Sequence, residues 1–502
     1  MATSQKPTPP AGPRQVTKAA TTTGGSLTAQ PEFTVADYLA TRLQELHCNH
    51  LFGVAGNYSA PFLDTLLMKP SYGIDYVRVP NELCGGYAAD AYARVRGISA
   101  IAVTYSVGAF ILSNPVAGAF VEQIPMVVIN GAPSNKEWSN TVQTGLIYSH
   151  SLSDPQSNLA VFRNITGAAE RIINASEAPF QIDAALTACI SRSTPVYLEV
   201  LEDVWRAPCI RPRERLQRGY TYVTNTGPNS SLNQAITASI ALIKQYQEPF
   251  FWLGSEIQRQ GLEAETQALI DQSKVPFTTS VMGKSVLSES SKYFKGVYTP
   301  PDGESTTPFL GPDGKQLGNC MIGLGAWMTS KDTAFHNVES ERVILAAHFG
   351  VRVGAFFFPQ VRLGEYIAAL GKALQDEGKA VIPAALRVAM QAPRLDANAQ
   401  LTYDLFIQCL KPWLQPSDRV VADAGFPLIA ASPLPIATQG HFTCQASWLS
   451  IGYSMGAAIG VRCADKDSRP IVIVGDGSFQ ETCQAVSAMG IPAASLPSSL
   501  YW

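Results

Sequence analysis

Several features that identify broad classes of protein are missing from this sequence. Its nine cysteines form no CxxC pair and no cysteine–histidine cluster at zinc spacing, which argues against a structural zinc site. A net charge of -3 provides no basic field for nucleic acid. Polar residues and proline interrupt even the most hydrophobic region, so we expect no membrane span. Scattered cysteines indicate free thiols in a reducing compartment, and we expect small-molecule or protein partners.

The first 33 residues differ in composition from the rest of the chain. They are rich in Thr, Pro, Ala and Gly, and no acidic residue precedes Glu32. This composition fits either an organelle transit peptide or a disordered tail. We interpret residues 1–33 as a disordered tail, and we then expect a cytoplasmic location.

From residue 34 onward, amphipathic helical segments alternate with short apolar strands. In "TVADYLATRLQEL" the apolar residues have helical spacing, and "HLFGV" reads as a strand that enters a glycine turn. The alternation begins again near Pro249 and near Leu401. Strands separated by helices are typical of parallel sheets with helices on both faces. We therefore predict an α/β fold of three doubly wound parallel-sheet domains, at residues 34–205, 231–385 and 400–502.

Near the end of the chain, an apolar strand runs into the glycine-rich turn of "IVIVGDGSFQ". Gly475 and Gly477 let a ligand approach the backbone, and amides at the start of the next helix, near Ser478, suit a phosphate oxygen. The Asp476 carboxylate is a hard oxygen ligand of the kind that Mg²⁺ or Ca²⁺ prefers. The turn therefore suggests a diphosphate and metal site, although these letters fit a plain turn capped by Asp equally well.

A second candidate is Glu82 in "RVPNELCGGYAADAYARVRG", at the start of a helix rich in Ala and Gly. Small residues let such a helix pack closely on another surface, which would place Glu82 in a confined site. A glutamate at a helix start is more often only a favourable partner of the helix dipole. This segment alone favours that simpler role.

In this order and at this separation, the two elements resemble the thiamine-diphosphate-dependent enzymes of the pyruvate decarboxylase type. The resemblance runs from about Thr34 to Gly490 and includes "NELCGGYAADAYAR", "GKSVLSES", "WLSIGYSMGAAIG" and "IVIVGDGSFQETCQ" in family order. It implies a pyrimidine-binding, a central and a diphosphate-binding domain, with thiamine diphosphate and Mg²⁺ as cofactors. It also implies a homodimer or homotetramer, because the family's site lies between two subunits.

The resemblance also implies roles for residues that match the family's segments. Glu82 would hydrogen-bond the aminopyrimidine ring and favour the imino form that takes the thiazolium proton. Ile451 corresponds to the bulky apolar residue that holds the cofactor bent, and Leu449 stands where a glycine with a functional carbonyl is usual. The diphosphate-binding turn corresponds to Gly475, Asp476, Gly477 and Ser478, with Asp476 as metal ligand.

Two positions in the first domain depart from the family. Asn57 stands in the first glycine turn where Asp is usual, and an amide cannot exchange a proton at neutral pH. Ser149 and His150 stand where a histidine pair is usual. An imidazole side chain can relay a proton, so His150 could still do so, although a lone histidine is more often structural. These changes weaken the assignment to pyruvate more than they weaken cofactor binding.

The largest departure is at the end of the chain. The family's diphosphate turn is followed by an asparagine pair that completes the metal shell, whereas residues 478–502 contain no asparagine. The composition also changes abruptly after Met489. We therefore expect an incomplete third domain, and we interpret this ending as truncated or misread.

The function predicted from these residues is non-oxidative decarboxylation of a 2-oxo acid to an aldehyde and CO₂. The substrate would be pyruvate or a larger acid such as indolepyruvate or phenylpyruvate. Two alternatives stay open. One is a catalytically compromised paralogue or non-catalytic subunit; the other is a carboligase of the acetolactate synthase kind, for which residues 231–385 show no recognisable FAD site.

Overall fold

The computed structural model describes residues 33–152, 154–216, 227, 230–298, 309–310, 316–329, 340–376 and 400–489. The predicted tail, apart from its last residue, and the segment after Met489 lie outside these ranges. The described residues form three main sheets, of six, seven and three strands, and a two-stranded ribbon. No helix among them is both long and apolar enough to cross a bilayer.

The first unit is a six-stranded parallel sheet in the order β2-β1-β3-β4-β6-β5. Its strands are β1 (His50–Gly53), β2 (Asp75–Arg78), β3 (Ser99–Thr104), β4 (Met126–Ala132), β5 (Ala168–Ile172) and β6 (Val196–Leu201). Its helices are α1 (Val35–Glu45), α2 (Ala60–Met68), α3 (Glu82–Arg96), α4 (Val107–Ile111), α5 (Ser113–Val121), α6 (Asn135–Thr144), α7 (Ser157–Phe162), α8 (Ala178–Arg192) and α9 (Glu202–Trp205).

The core of this unit lies on both faces of its sheet. Leu51 of β1 belongs to the apolar cluster on one face, and the next residue, Phe52, belongs to the cluster on the other. Strands covered on both faces read as continuous apolar runs, which is why "SAIAVT" and "MVVINGA" are so hydrophobic. The chain order reverses between β1 and β3, and such a switch point opens a crevice at the carboxyl ends of the strands.

The central unit is a seven-stranded sheet in the order β15-β14-β13-β12-β7-β8-β9. Its strands are β7 (Pro249–Leu253), β8 (Phe277–Thr279), β9 (Phe294–Val297), β12 (Cys320–Leu324), β13 (Val343–Ala347), β14 (Gly350–Val353) and β15 (Phe356–Phe358). The separate ribbon pairs β10 (Phe309–Leu310) with β11 (Gln316–Gly318). Its helices are α10 (Ser231–Tyr246), α11 (Glu256–Arg259), α12 (Glu263–Ser273) and α13 (Leu363–Asp376).

Two edge strands of the central sheet differ from the parallel arrangement that the sequence suggests. β14 and β15 pair antiparallel, whereas β7, β8, β9, β12 and β13 are parallel. Only His348 and Phe349 separate β13 from β14. A connection of two residues permits a hairpin but not the crossover that a parallel pair needs.

The third unit is a three-stranded parallel sheet in the order β17-β16-β18. Its strands are β16 (Asp418–Ala422), β17 (Phe442–Cys444) and β18 (Arg469–Ile473), and its helices are α14 (Tyr403–Leu410), α15 (Phe426–Ala431), α16 (Tyr453–Ala464), α17 (Asp476–Thr482) and α18 (Ala485–Met489). The prediction of three successive α/β units is thus confirmed, while the limits proposed for each domain stay predictions.

Helices α3 and α16 join the first unit to the third through small residues. A Cβ at Gly456 would lie 2.7 Å from the Cys84 carbonyl oxygen, and one at Gly460 would collide with the Ala88 carbonyl. The two backbones therefore touch directly, which only glycine at these positions allows. The Ala and Gly content of α3 had suggested such a close contact.

Candidate active site

The switch point of the first sheet brings the turn after β1 against the end of β3. A Cβ at Gly56 would lie 2.5 Å from the Thr104 Cβ, so the chain that leads to Asn57 packs directly on β3. The Asn57 side chain makes no hydrogen bond with the described residues. Asn57 therefore lies at the crevice where a parallel sheet receives its ligand.

Glu82 is the first residue of α3 and lies at the same edge of the sheet. Asn81 fixes this helix start, because its side chain accepts a hydrogen bond from the Cys84 amide at 2.8 Å. A Cβ at Gly108 would lie 2.9 Å from the Glu82 Oε1. Among the described residues, no hydrogen bond or ion pair engages the half-buried Glu82 carboxylate. The site thus holds a carboxylate in a narrow place without a partner.

Ser106, between β3 and α4, has strained backbone geometry that sequence reasoning did not anticipate. Its φ is 52° and its ψ is -77°, a region that residues other than glycine rarely adopt. Its buried hydroxyl donates to the Asn158 Oδ1 at 3.3 Å. The only available signal was a small residue directly after a buried strand, in "TYSVG".

His150 lies in the loop of residues 145–152, which follows α6. Its ring meets the Tyr58 ring edge to face, with centroids 6.5 Å apart. The imidazole makes no hydrogen bond with a described residue and is exposed. The structure therefore brings the His150 loop next to the turn that carries Asn57, as the resemblance implies for these two positions.

The glycine turn of the third unit is open to solvent. Gly475 precedes α17, and Asp476 is the exposed first residue of that helix. A Cβ at Gly477 would meet no atom within 4 Å, whereas Ser478 is buried. The turn has room for a ligand beside the free amides of a helix start.

Leu449 and Ile451 lie in a loop that the first unit holds in place. The buried Glu122 carboxylate accepts hydrogen bonds from the amides of Ser447 and Trp448 at 2.8 and 2.9 Å, and Arg94 of α3 pairs with Glu122 at 2.7 Å. Leu449 has a φ of 59°, the conformation expected where the family uses glycine. The Ile451 side chain is 51% exposed and presents an apolar surface to solvent.

The described residues do not link the two groups of candidates directly. No hydrogen bond or ion pair joins Asn57, Glu82 or His150 to the candidates of the third unit. The connection is indirect, through the contact between α3 and α16 and through Glu122. Sequence reasoning missed Glu122, since nothing in its local pattern separates it from an ordinary helix-end glutamate.

Three family descriptions match successive parts of the chain. They are "Thiamine pyrophosphate enzyme, N-terminal TPP binding domain" at residues 33–153, its central domain at residues 236–310, and its C-terminal TPP binding domain at residues 423–490. The candidates Asn57, Glu82 and His150 lie in the first match, and the glycine turn lies in the last.

Curated relatives show similarity over most of the chain. An alpha-keto-acid decarboxylase of Mycolicibacterium paratuberculosis is 32% identical over 462 residues, 91% of this chain and 79% of the relative. Proteins of the same name from Mycobacterium tuberculosis and Mycobacterium ulcerans are 31% and 30% identical, over 91% and 90% of this chain and 80% and 78% of their own lengths. The chain belongs to the thiamine-pyrophosphate-dependent alpha-keto-acid decarboxylase family.

The residues of this thiamine-pyrophosphate enzyme fit their organic cofactor better than they fit a metal. The Glu82 carboxylate, which no described residue pairs, suits a polar ring, and the exposed Ile451 suits an apolar one. Within the described ranges, no group of three or more His, Cys, Asp or Glu residues could hold a metal ion. A magnesium ion at Asp476 would therefore need further oxygen ligands, such as the pyrophosphate and water, which Mg²⁺ commonly uses.

Proposed function

We propose that this chain catalyses thiamine-diphosphate-dependent decarboxylation of a 2-oxo acid to an aldehyde and CO₂. The observation that carries the proposal is the unpartnered Glu82 carboxylate facing Gly108 at the switch point of the first sheet. The names of the relatives support the same reaction class. Without the similarity to these relatives, a carboxylate at a helix start would indicate no particular chemistry.

When bound, thiamine diphosphate supplies the electron sink that accepts the electrons left by departing CO₂. Glu82 would share a proton with a nitrogen of the cofactor's pyrimidine ring. Asn57 would orient the substrate by hydrogen bonds, because an amide cannot exchange a proton at neutral pH. His150 would exchange protons with substrate-derived groups, since an imidazole ring can both donate and accept a proton.

In the third unit, the glycine turn would hold the diphosphate and Ile451 would support the bent cofactor. The amides near Gly477 and Ser478 would donate to phosphate oxygens, and the Leu449 carbonyl would accept from the pyrimidine. We further propose that Asp476 would hold Mg²⁺, which would offset the negative charge of the diphosphate. The chain would act as a homodimer or homotetramer, as the family resemblance implies.

A large 2-oxo acid, such as phenylpyruvate or indolepyruvate, is the substrate class that we favour over pyruvate. The support is that Asn57 and Ser149 stand where the family has an aspartate and a histidine, so the groups that would act on pyruvate are changed. The same exchange is the basis of the alternative that the chain is a catalytically compromised relative.

The test is a titration of the full chain with thiamine diphosphate and Mg²⁺, followed by assays on pyruvate, phenylpyruvate and indolepyruvate. We expect cofactor binding, and aldehyde and CO₂ in equal amounts from at least one acid. Binding without CO₂ release would favour the non-catalytic alternative. Acetolactate or a related hydroxyketone as the main product would favour the carboligase.

A further inference from the structure

We propose that Tyr58 is a positioning residue, whose hydroxyl holds the His150 loop (residues 145–152) against the turn that carries Asn57. Its role in turnover rests on the proposed function, whereas its contact with the loop does not. Nothing in the sequence alone marks Tyr58, because a tyrosine after a glycine turn is commonly a core residue.

The Tyr58 side chain connects three segments of the first unit. It is only 5% exposed, and its hydroxyl lies 3.3 Å from the Glu137 Oε1 and 3.5 Å from the Ser149 carbonyl oxygen. One hydroxyl has one hydrogen, so the two acceptors share it. For Ser149 and His150, this is the one hydrogen bond to the rest of the unit among the described residues.

The backbone of Tyr58 cannot move away from the sheet easily. A Cβ at Gly131 of β4 would collide with the Tyr58 carbonyl group, so the two main chains are in direct contact. By contrast, the loop starts at Gly145 with a φ of 72° and exposes Leu146 and Ile147. Tyr58 is therefore the fixed partner, and the loop is the segment that it holds.

Glu137, the other acceptor of the Tyr58 hydroxyl, is itself held in place. Its Oε2 accepts hydrogen bonds from the Ser134 amide and hydroxyl at 2.8 and 2.9 Å, as part of the capping box of α6. This leaves Oε1 for Tyr58. Burial, with the negative Glu137 and Glu202 nearby, raises the pKa of Tyr58 to about 12. The hydroxyl therefore stays protonated and remains a donor at neutral pH.

Removal of the hydroxyl should loosen the loop without disturbing the cofactor-binding residues. In Tyr58→Phe, the ring still fills its place, but Ser149 loses its donor and His150 loses its fixed position. Misplacement of a reacting group by about 1 Å can cost about 100-fold in rate. We expect kcat to fall by about tenfold, with a changed pH profile of kcat and unchanged affinity for thiamine diphosphate.

Tyr72→Phe is the matched control. The Tyr72 hydroxyl donates to a buried carboxylate, the Asp37 Oδ1, at 2.7 Å in the same unit. Tyr72→Phe therefore removes the same hydroxyl group at a position away from the crevice. The two variants should have similar melting temperatures, yet only Tyr58→Phe should change kcat and its pH profile. Equal kinetics in the two variants would overturn the assignment of Tyr58.

Hydrogen exchange of the chain without substrate separates this inference from the proposed function. Amides of residues 145–152 should exchange faster in Tyr58→Phe than in the wild type, and at the wild-type rate in Tyr72→Phe. Unchanged exchange in Tyr58→Phe would overturn the proposal even if the enzyme is active. If the wild type proves inactive, faster exchange still supports the contact, and the proposed function alone fails. Should Tyr58→Phe not fold, the wild type provides the test, and exchange of the Ser149 and His150 amides at the rate of an unstructured peptide would overturn the proposal.

Discussion

In the first and the central sheet, the carboxyl ends of the parallel strands lie along one edge of the sheet. The carboxylate at this edge is paired by other side chains in the central sheet only. In the central unit, the buried Glu256 carboxylate accepts hydrogen bonds from the His348 amide at 2.8 Å, from the His348 Nδ1 at 2.5 Å and from the Trp327 indole. In the first unit, Glu82 has no such partner among the described residues. A satisfied carboxylate closes an edge, whereas an unsatisfied one leaves a place for a ligand.

The backbone turns at the two edges also differ, because one uses glycine and the other uses serine at a positive φ. After β12 the central chain turns through a glycine, Gly325, at a φ of 61°. After β3 the first chain turns through Ser106 at a φ of 52°. Glycine adopts this region without cost, whereas serine is strained there. Strain is therefore present in the turn after β3, at the edge that holds the candidate site, and absent from the turn after β12.

This contrast also bears on the carboligase alternative. The cavity at the central edge has a volume of about 10 Å³, and Ser255, Ser280, Trp327 and Thr329 are among the residues that line it. That is about the space of one water molecule. This cavity is therefore too small to hold FAD.

The largest expected effect is on Glu82. Glu82→Gln removes the carboxylate that would share a proton with the cofactor, so we expect decarboxylation to fall by about 100-fold or more. Its stability should hardly change, because no described residue pairs with this carboxylate. Steady-state rates at saturating thiamine diphosphate and a urea unfolding curve provide the measurements. A variant that is active but unstable would show that Glu82 is structural.

A second prediction concerns pH and the buried Glu199 of β6. Burial raises the pKa of Glu199 from 4.5 to about 7, although its Oε2 accepts from the Tyr197 hydroxyl at 2.8 Å. The folded state thus binds a proton that the unfolded state releases. The contribution of Glu199 to the free energy of unfolding is at its maximum below about pH 4.5. It falls by about 3 kcal/mol as the pH rises to about 7.

Glu199→Gln should remove this pH dependence. Relative to the wild type, the variant should gain unfolding free energy as the pH rises from about 4.5 to about 7. Above about pH 7 the difference between the two proteins should stay constant. Other titrating groups cancel in that difference. A difference that does not change with pH would show that Glu199 is ionised in the fold throughout this range.

The third prediction concerns Glu256 of the central unit, where we expect the opposite of the result for Glu82: a loss of stability without a loss of activity. Glu256→Gln replaces one carboxylate oxygen with an NH₂ group, so at least one of its four donors, which include the Gln260 Nε2 at 3.4 Å, meets another donor. We expect a loss of about 1–3 kcal/mol in unfolding free energy, with decarboxylation at the wild-type rate. Glu265→Gln, on the exposed face of α12, is the control and should be neutral. A large loss of activity in Glu256→Gln without a loss of stability would contradict the contrast between the two edges.

The sequence predicted what depends on local pattern and missed what depends on distant neighbours. The alternation of apolar strands and helices is enough to predict three α/β units. The polar residue before a helix of small residues is enough to predict that Glu82 lies at a helix start. The hairpin of β13 and β14 was missed because "RVILAAHFGVRV" reads as one apolar run. Glu122 lies 325 positions from Ser447, and such a contact has no signature within any short window of sequence.

The smallest expected effect isolates the backbone strain at Ser106. Ser106→Ala and Ser106→Gly both lose the hydrogen bond to Asn158, so they differ only in the backbone. At an ordinary position alanine is the more stable by about 0.5–1 kcal/mol, because glycine loses more entropy on folding. At a φ of 52° the order should reverse, since glycine relieves a strain of about 1 kcal/mol or more. Ser99, the first residue of the same strand, has no positive φ, so there the alanine variant should be the more stable. If alanine is also the more stable at position 106, the backbone there is not strained, and the difference between the two sheet edges reduces to their carboxylates.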